Sequence, residues 1–303
     1  MDKKLCGWRD VAFPVLLSAV SFSVANALWN HPQLKLWEVV RPSIPTYLIG
    51  GSGVALVLLW LAARRGVLTS KNVGLDLSGW SAPRRLAGVG MILLMGLGGY
   101  LSLPAPPAQP GAATAADADL NAQSPSQPLA AATHPKPSWG DYCFWFVHLL
   151  SASLAELLVF CCLMFCLLER WLRSRGMGAF VAWLVAAVVA SVGFGLYHYT
   201  HEPRWYGYVY FPLMPVMMMN LAYFGLSRNF YLTLMLHNSF AAVGFTQEQY
   251  ATYPPHRDVD PATYLAPQEL WPLLVSFIVP FLALHALEYW GFGRNGEQVS
   301  GGK

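Results

Sequence analysis

Eight stretches of this chain are apolar for long enough to cross a lipid bilayer, and that constrains its fold more than any other feature. They are Val11–Trp29, Pro45–Ala63, Leu86–Leu103, Tyr142–Leu168, Gly178–Tyr197, Val209–Leu226, Asn229–Phe245 and Leu270–Trp290. A spanning helix needs roughly 20 mostly apolar residues. In lipid the backbone must satisfy its own hydrogen bonds, so a span is either a helix or part of a closed barrel. These runs show no period-two alternation, which leaves helices. Composition agrees. Only 12% of the 303 residues are charged and 55% are hydrophobic, whereas a soluble domain carries about 25% charge. The expected fold class is all-α: a polytopic membrane helix bundle of about eight transmembrane helices.

The basic residues orient the bundle. With the N-terminus in the cytoplasm, the inner segments hold Lys3, Lys4, Arg9, Arg64, Arg65, Lys71, Arg84, Arg85, Arg170, Arg173, Arg175, Arg228, Arg294 and Lys303. The outer side holds only Lys35, Arg41, Lys136, Arg204 and Arg257. Positive charge favours the cytoplasmic side, so both termini are expected there. The expected location is a multi-pass integral membrane protein of a bacterial inner (cytoplasmic) membrane. The first run also shares the pattern of a signal peptide, with Lys3, Lys4 and Arg9 ahead of it and Ala25-Asn26-Ala27 near its end. Its apolar stretch is long for one, and a retained span is the expectation.

Other features narrow the function classes. A net charge of +3 is too small to argue for nucleic acid. Five cysteines is an odd number, and Cys161, Cys162 and Cys166 share one apolar run. They read as packing residues rather than a disulfide framework. The segment Pro104–Pro137 is rich in Pro, Ala, Gln, Ser and Thr and reads as a flexible external loop. The chain then divides into helices one to three (1–103), a Pro/Ala-rich external loop (104–140), and helices four to eight (141–303). The last external segment, Thr246–Glu269, carries Glu248, His256, Asp258 and Asp260. It reads as an interfacial loop or a lid. No internal repeat is visible, which argues against a transporter built from duplicated halves.

Ionisable groups inside spans are expensive in lipid and therefore mark function by default. Glu156 is the one carboxylate deep within a run; Asp10, Asp141, Glu169, Glu269 and Glu288 all sit at ends. His198 lies at the end of the fifth run, with His201 one turn further out, and His237 lies near the middle of the seventh. His148 and His285 are the other histidines in spans, and Asn220 and Asn238 add amides. A carboxylate and two imidazoles supply a water-activating base and either metal ligands or oxyanion donors. Spacing alone does not show that the three meet.

Three segments carry a resemblance. They are Ala155-Glu156-Leu157-Leu158-Val159-Phe160, then Ser191-Val192-Gly193-Phe194-Gly195-Leu196-Tyr197-His198, then Arg228-Asn229-Phe230-Tyr231-Leu232-Thr233-Leu234-Met235-Leu236-His237. Together they resemble the motifs of the CPBP family, the CAAX-prenyl and bacteriocin-processing intramembrane proteases. That family carries Glu-Glu-x-x-x-Arg, Phe-x-x-x-His and His-x-x-x-Asn. The second motif is intact. Ala155 stands in place of the first Glu, Phe160 in place of the Arg and Ala241 in place of the Asn.

The resemblance implies an intramembrane endopeptidase acting on a membrane-associated or small peptide substrate. By it, Glu156 would activate water, His198 would assist, and His237 would stabilise the tetrahedral oxyanion. Glu156, His198 and His237 are also the metal ligands it implies, for zinc or another divalent metal, if the chemistry uses one. The replaced positions keep a second reading open, a catalytically inactive relative serving as a membrane binding or assembly factor. A transporter using Glu156 as its ion site is a third.

Overall fold

A computed structural model describes residues 7–30, 51–76, 139–198, 213–251 and 278–286, with the isolated helical positions 86, 90, 93, 94, 97 and 98. The described residues are all-helical, and no strand occurs among them. The Pro-rich loop, His201, His256 and most of the third and eighth runs lie outside the described residues. The chain-ordered helices are α1 (Trp8–Asn30), α2 (Val54–Arg64), α3 (Trp139–Leu157), a π-helical segment (Leu158–Phe165), α4 (Cys166–Ser174), α5 (Ala179–His198), α6 (Leu213–Ser227) and α7 (Phe230–Ala251).

The fourth apolar run is longer than its hydropathy suggests. It starts at Trp139 and continues without a break through the π segment to Ser174. The polar residues Glu169, Arg170 and Arg173 extend it as one more amphipathic stretch, with Glu169 and Leu172 buried and Arg173 exposed. α7 likewise runs to Ala251, so the helix takes in the first residues of the expected loop Thr246–Glu269. Among the described residues two helices, Trp145–Ser174 and Ala179–His198, are long and apolar enough to cross a membrane.

The π segment is the hub of the bundle. Every residue of Leu158–Phe165 is buried. It packs against α1, α2 and α5, while α3 packs most extensively against α7, and α6 joins α5 to α7. Bonding from i to i+5 puts an extra residue into each turn, so a π stretch turns its side chains to directions an α-helix would not reach; such stretches concentrate at functional sites. Here it begins two residues after Glu156. Cys161, Cys162 and Cys166 are buried free thiols within this core, as their apolar run suggested.

A polar layer fixes the basic end. Gly74 adopts φ +73°, and a Cβ there would meet the Phe230 nitrogen at 2.8 Å. Its carbonyl accepts from Phe230 N–H (2.9 Å), while Asn229 Oδ1 accepts from Leu232 N–H (3.0 Å). Two otherwise orphaned donors at the start of α7 are thereby satisfied. Arg228, at φ 49°, makes a bidentate pair with Glu169 at 2.8 and 3.0 Å. That hydrogen bonding raises the Arg228 pKa, and the pair joins α4 to the α6–α7 turn. Arg170 donates to Asn72 Oδ1 (2.9 Å) and to the Gly66 carbonyl (3.2 Å), tying the α2 exit to α4.

α5 shows what kind of solvent the exterior suits. Phe180, Val181, Leu184, Val185, Val188, Val189, Val192 and Leu196 are all exposed on it. A soluble protein rarely leaves so large a contiguous apolar face to water.

Candidate active site

Glu156, His198 and His237 come from α3, α5 and α7, and the fold brings all three together. Glu156 Oε2 lies 2.8 Å from His237 Nε2, and Glu156 Oε1 lies 3.8 Å from His198 Nε2. All three side chains are buried, at 9%, 7% and 4% exposure for Glu156, His198 and His237. The placement follows from packing. The α3–α7 interface is fastened beside the site by Ser153 Oγ donating to Asn238 Oδ1 (2.9 Å) and Asn238 Nδ2 donating to the Phe146 carbonyl (2.7 Å).

The surrounding groups fix each imidazole. Asn220 Nδ2 donates to His237 Nδ1 at 3.0 Å, so the ring proton resides on Nε2 and is donated to the Glu156 carboxylate. On His198, Nδ1–H donates to the Phe194 carbonyl at 2.8 Å, and the Nε2 lone pair is turned towards Glu156. The i, i+4 spacing of Phe194 and His198 sets that contact, since the two share a helix face. The Phe194 ring packs edge-on against both imidazoles, with centroids at 4.3 Å from His198 and 5.7 Å from His237.

The replaced positions are built into the packing. Phe160 meets Phe194 edge-on at 5.4 Å and Tyr197 at 5.6 Å, so an aromatic wall stands where the resemblance has a cation. Ala155 is fully buried, and a Cβ added at Gly51 would lie 2.9 Å from its Cβ and 2.9 Å from Phe22. The Gly51 backbone therefore passes close to the Ala155 methyl, and a larger side chain there would have to repack this fully buried position. Ala241 makes no polar contribution, and Asn238, its near neighbour, is engaged with Ser153 and Phe146.

The sequence marked Asn220 only as an amide in a span, and it missed the role of this residue in orienting His237. No spacing rule links positions 220 and 237, which lie on different helices. Asn220 is fully buried, and its Oδ1 has no hydrogen-bond partner. His285 lies apart from this cluster, stacked on Tyr231 at 5.6 Å.

Among the described residues, no group of three or more His, Cys, Asp or Glu side chains is arranged to hold a metal ion. The direct Glu156–His237 hydrogen bond occupies the edge that a shared ion would bridge. The donor types suit zinc, but among the described residues no three of them are set around one point. No family model, curated protein or solved structure matches the chain.

Proposed function

We propose that this chain is a multi-pass membrane protein, with the eight spans and inner termini set out above, and a CPBP-like intramembrane endopeptidase. The observation that carries the reading is the meeting of Glu156, His198 and His237 from three separate helices. An apolar bundle has little reason to gather an acid and two imidazoles unless they do chemistry. The exposed apolar face of α5 supports the membrane half of the reading.

The geometry supports a hydrolysis. A water donating to Glu156 Oε1 and His198 Nε2, acceptors 3.8 Å apart, would lose one proton to the carboxylate. The resulting hydroxide would attack the carbonyl carbon of a peptide bond. As Glu156 takes that proton its hold on His237 Nε2–H weakens, and this donor, kept in that tautomer by Asn220, would turn to the developing oxyanion. Glu156 would then return its proton to the leaving amine as the C–N bond breaks. Burial keeps competing water out and strengthens each of these interactions.

A second reading has its own observation. Ala155 is fully buried with the Gly51 backbone close to its methyl, so a paired carboxylate there would require repacking. That favours an inactive relative that keeps the fold as a membrane binding or assembly factor.

The test is a comparison of membrane-protein N-termini from cells making the wild-type chain, Glu156→Gln, His198→Ala or His237→Ala. The protease reading expects a set of new termini that only the wild type produces. The same termini from Glu156→Gln would remove it. Normal membrane insertion of all four, with no terminus specific to the wild type but a shared loss of function on deletion, selects the inactive relative.

A further inference from the structure

An apolar groove of about 350 Å³ runs between α1, the π segment, α4 and α5. It is lined by Val11, Ala12, Val15, Leu16, Met164, Leu168 and Val189, with Trp8 and Trp171 among its walls. Among the described residues that line it, none is charged or carries a polar group other than the two indole nitrogens. Its volume is at the lower end of the ~300–1,000 Å³ typical of small-molecule pockets.

The two tryptophans each carry a cation. The Arg9 guanidinium lies 5.7 Å from the Trp8 ring centroid, and Arg175 lies 5.7 Å from that of Trp171. Both arginines are exposed, and both belong to the basic end of the bundle. The acid beside them is already engaged: Asp10 accepts from Gly7 N–H at 3.0 Å and from Arg65 at 3.4 Å. The mouth of the groove is therefore apolar in its walls and positive at its rim.

We infer that this groove is a binding site for an anionic phospholipid of the inner leaflet, with one acyl chain against Val15, Met164 and Val189 and the phosphate between Arg9 and Arg175. Charge complementarity chooses the occupant. A zwitterionic lipid would bring its own cation to a rim that already holds two, whereas phosphatidylglycerol brings only negative charge. Interfacial Trp and Arg pairs suit this depth, because the ring sits at the headgroup level while the guanidinium reaches the phosphate. The inference rests on the membrane half of the proposed function and on none of its chemistry.

The test is native mass spectrometry of the full chain in micelles doped with phosphatidylglycerol or phosphatidylcholine. The wild type should retain phosphatidylglycerol on the order of tenfold better. Arg9→Gln and Arg175→Gln should each lower that preference about fivefold, the scale of one basic residue near an anionic headgroup. Ala12→Phe should reduce retention of both lipids by filling the chain seat. Glu156→Gln should leave the preference unchanged even where cleavage is lost, which separates this site from the proposed active site. Equal retention of the two lipids by the wild type would overturn the inference. So would an undiminished preference in the Arg9→Gln/Arg175→Gln protein.

Discussion

Glu156 Oε2 and His237 Nε2 lie 2.8 Å apart across the α3–α7 interface, 81 positions apart in the chain. Neither side chain could be buried alone in an apolar bundle without a large desolvation cost. Each therefore stabilises the other, and the pair is also the centre of the proposed chemistry. A change at either position must be read for both effects.

Glu156→Gln separates them. The amide keeps the size of the side chain and an oxygen that accepts from His237 Nε2–H, but it cannot take a proton from water. Proteolysis should fall about 10²–10⁴-fold, the usual range for losing a general base. The thermal midpoint should move far less than in Glu156→Ala. A shift equal to that of Glu156→Ala would show that the carboxylate charge is structural.

Asn220→Leu tests the orientation of His237. The change removes the donor to Nδ1 and frees the ring to adopt its other tautomer. A hydrogen bond of net worth ~1 kcal/mol corresponds to about fivefold in rate. Activity should drop by at least that factor, and the side-chain ¹⁵N signals of His237 should shift towards the Nδ1–H form. An unchanged tautomer with unchanged activity would show that other contacts hold the ring.

Ala155→Glu asks whether the missing acid can be restored. With this position fully buried beside Gly51, the larger side chain overpacks the core, at a cost of about 1–3 kcal/mol. No gain in cleavage is expected. Combined with Phe22→Ala, the insertion should cost less than the sum of the single changes, because both side chains lie around Gly51 and removing the ring frees space there. Strict additivity in chemical denaturation would mean that the two positions are not coupled.

The contrast between these residues shows what the sequence made legible. The helices from α3 onward were readable because hydropathy reports burial in lipid or protein. The fifth run, expected at Gly178–Tyr197, forms α5 at Ala179–His198. The ends were less readable where polar residues continue a helix, as at Glu169–Ser174 and beyond Phe245. Glu156, His198 and His237 stood out because charge inside an apolar run is costly whatever the partner. Asn220 did not, since an amide in a span is cheap enough to be common. The π segment left no signal at all: i to i+5 bonding depends on neighbours, and Leu158–Phe165 reads as ordinary apolar helix. The Gly74 carbonyl starts the helix that carries His237, a contact between distant positions that no local pattern reports.

The Glu169–Arg228 pair was equally hidden, as each looked like a loop or helix-end charge. Glu169 is buried and Arg228 about two-fifths exposed, at 7% and 38% of their side chains. Removal of one partner should therefore cost between the exposed and buried cases, about 1–3 kcal/mol. Arg228→Gly keeps the left-handed backbone and loses the pair and the guanidinium's contact with the Phe224 ring, whereas Arg228→Val loses the same contacts and adds strain at φ 49°. The valine variant should melt at the lower temperature. The reverse order would show that the left-handed backbone at residue 228 does not limit stability.

The topology makes a separate prediction. A fluorescent protein fused after Lys303 should fluoresce in the cytoplasm, and alkaline phosphatase inserted at Ser124 should be active outside it. The opposite pattern at either site would contradict eight spans with inner termini.

The central claim is that Glu156 activates water for peptide hydrolysis. Membranes containing the full chain can be incubated in H₂¹⁸O and the new peptide C-termini read by mass spectrometry. The account predicts C-termini carrying one ¹⁸O atom with the wild type and none above background with Glu156→Gln. Equal labelling from both proteins, inserted in equal amounts, would contradict it.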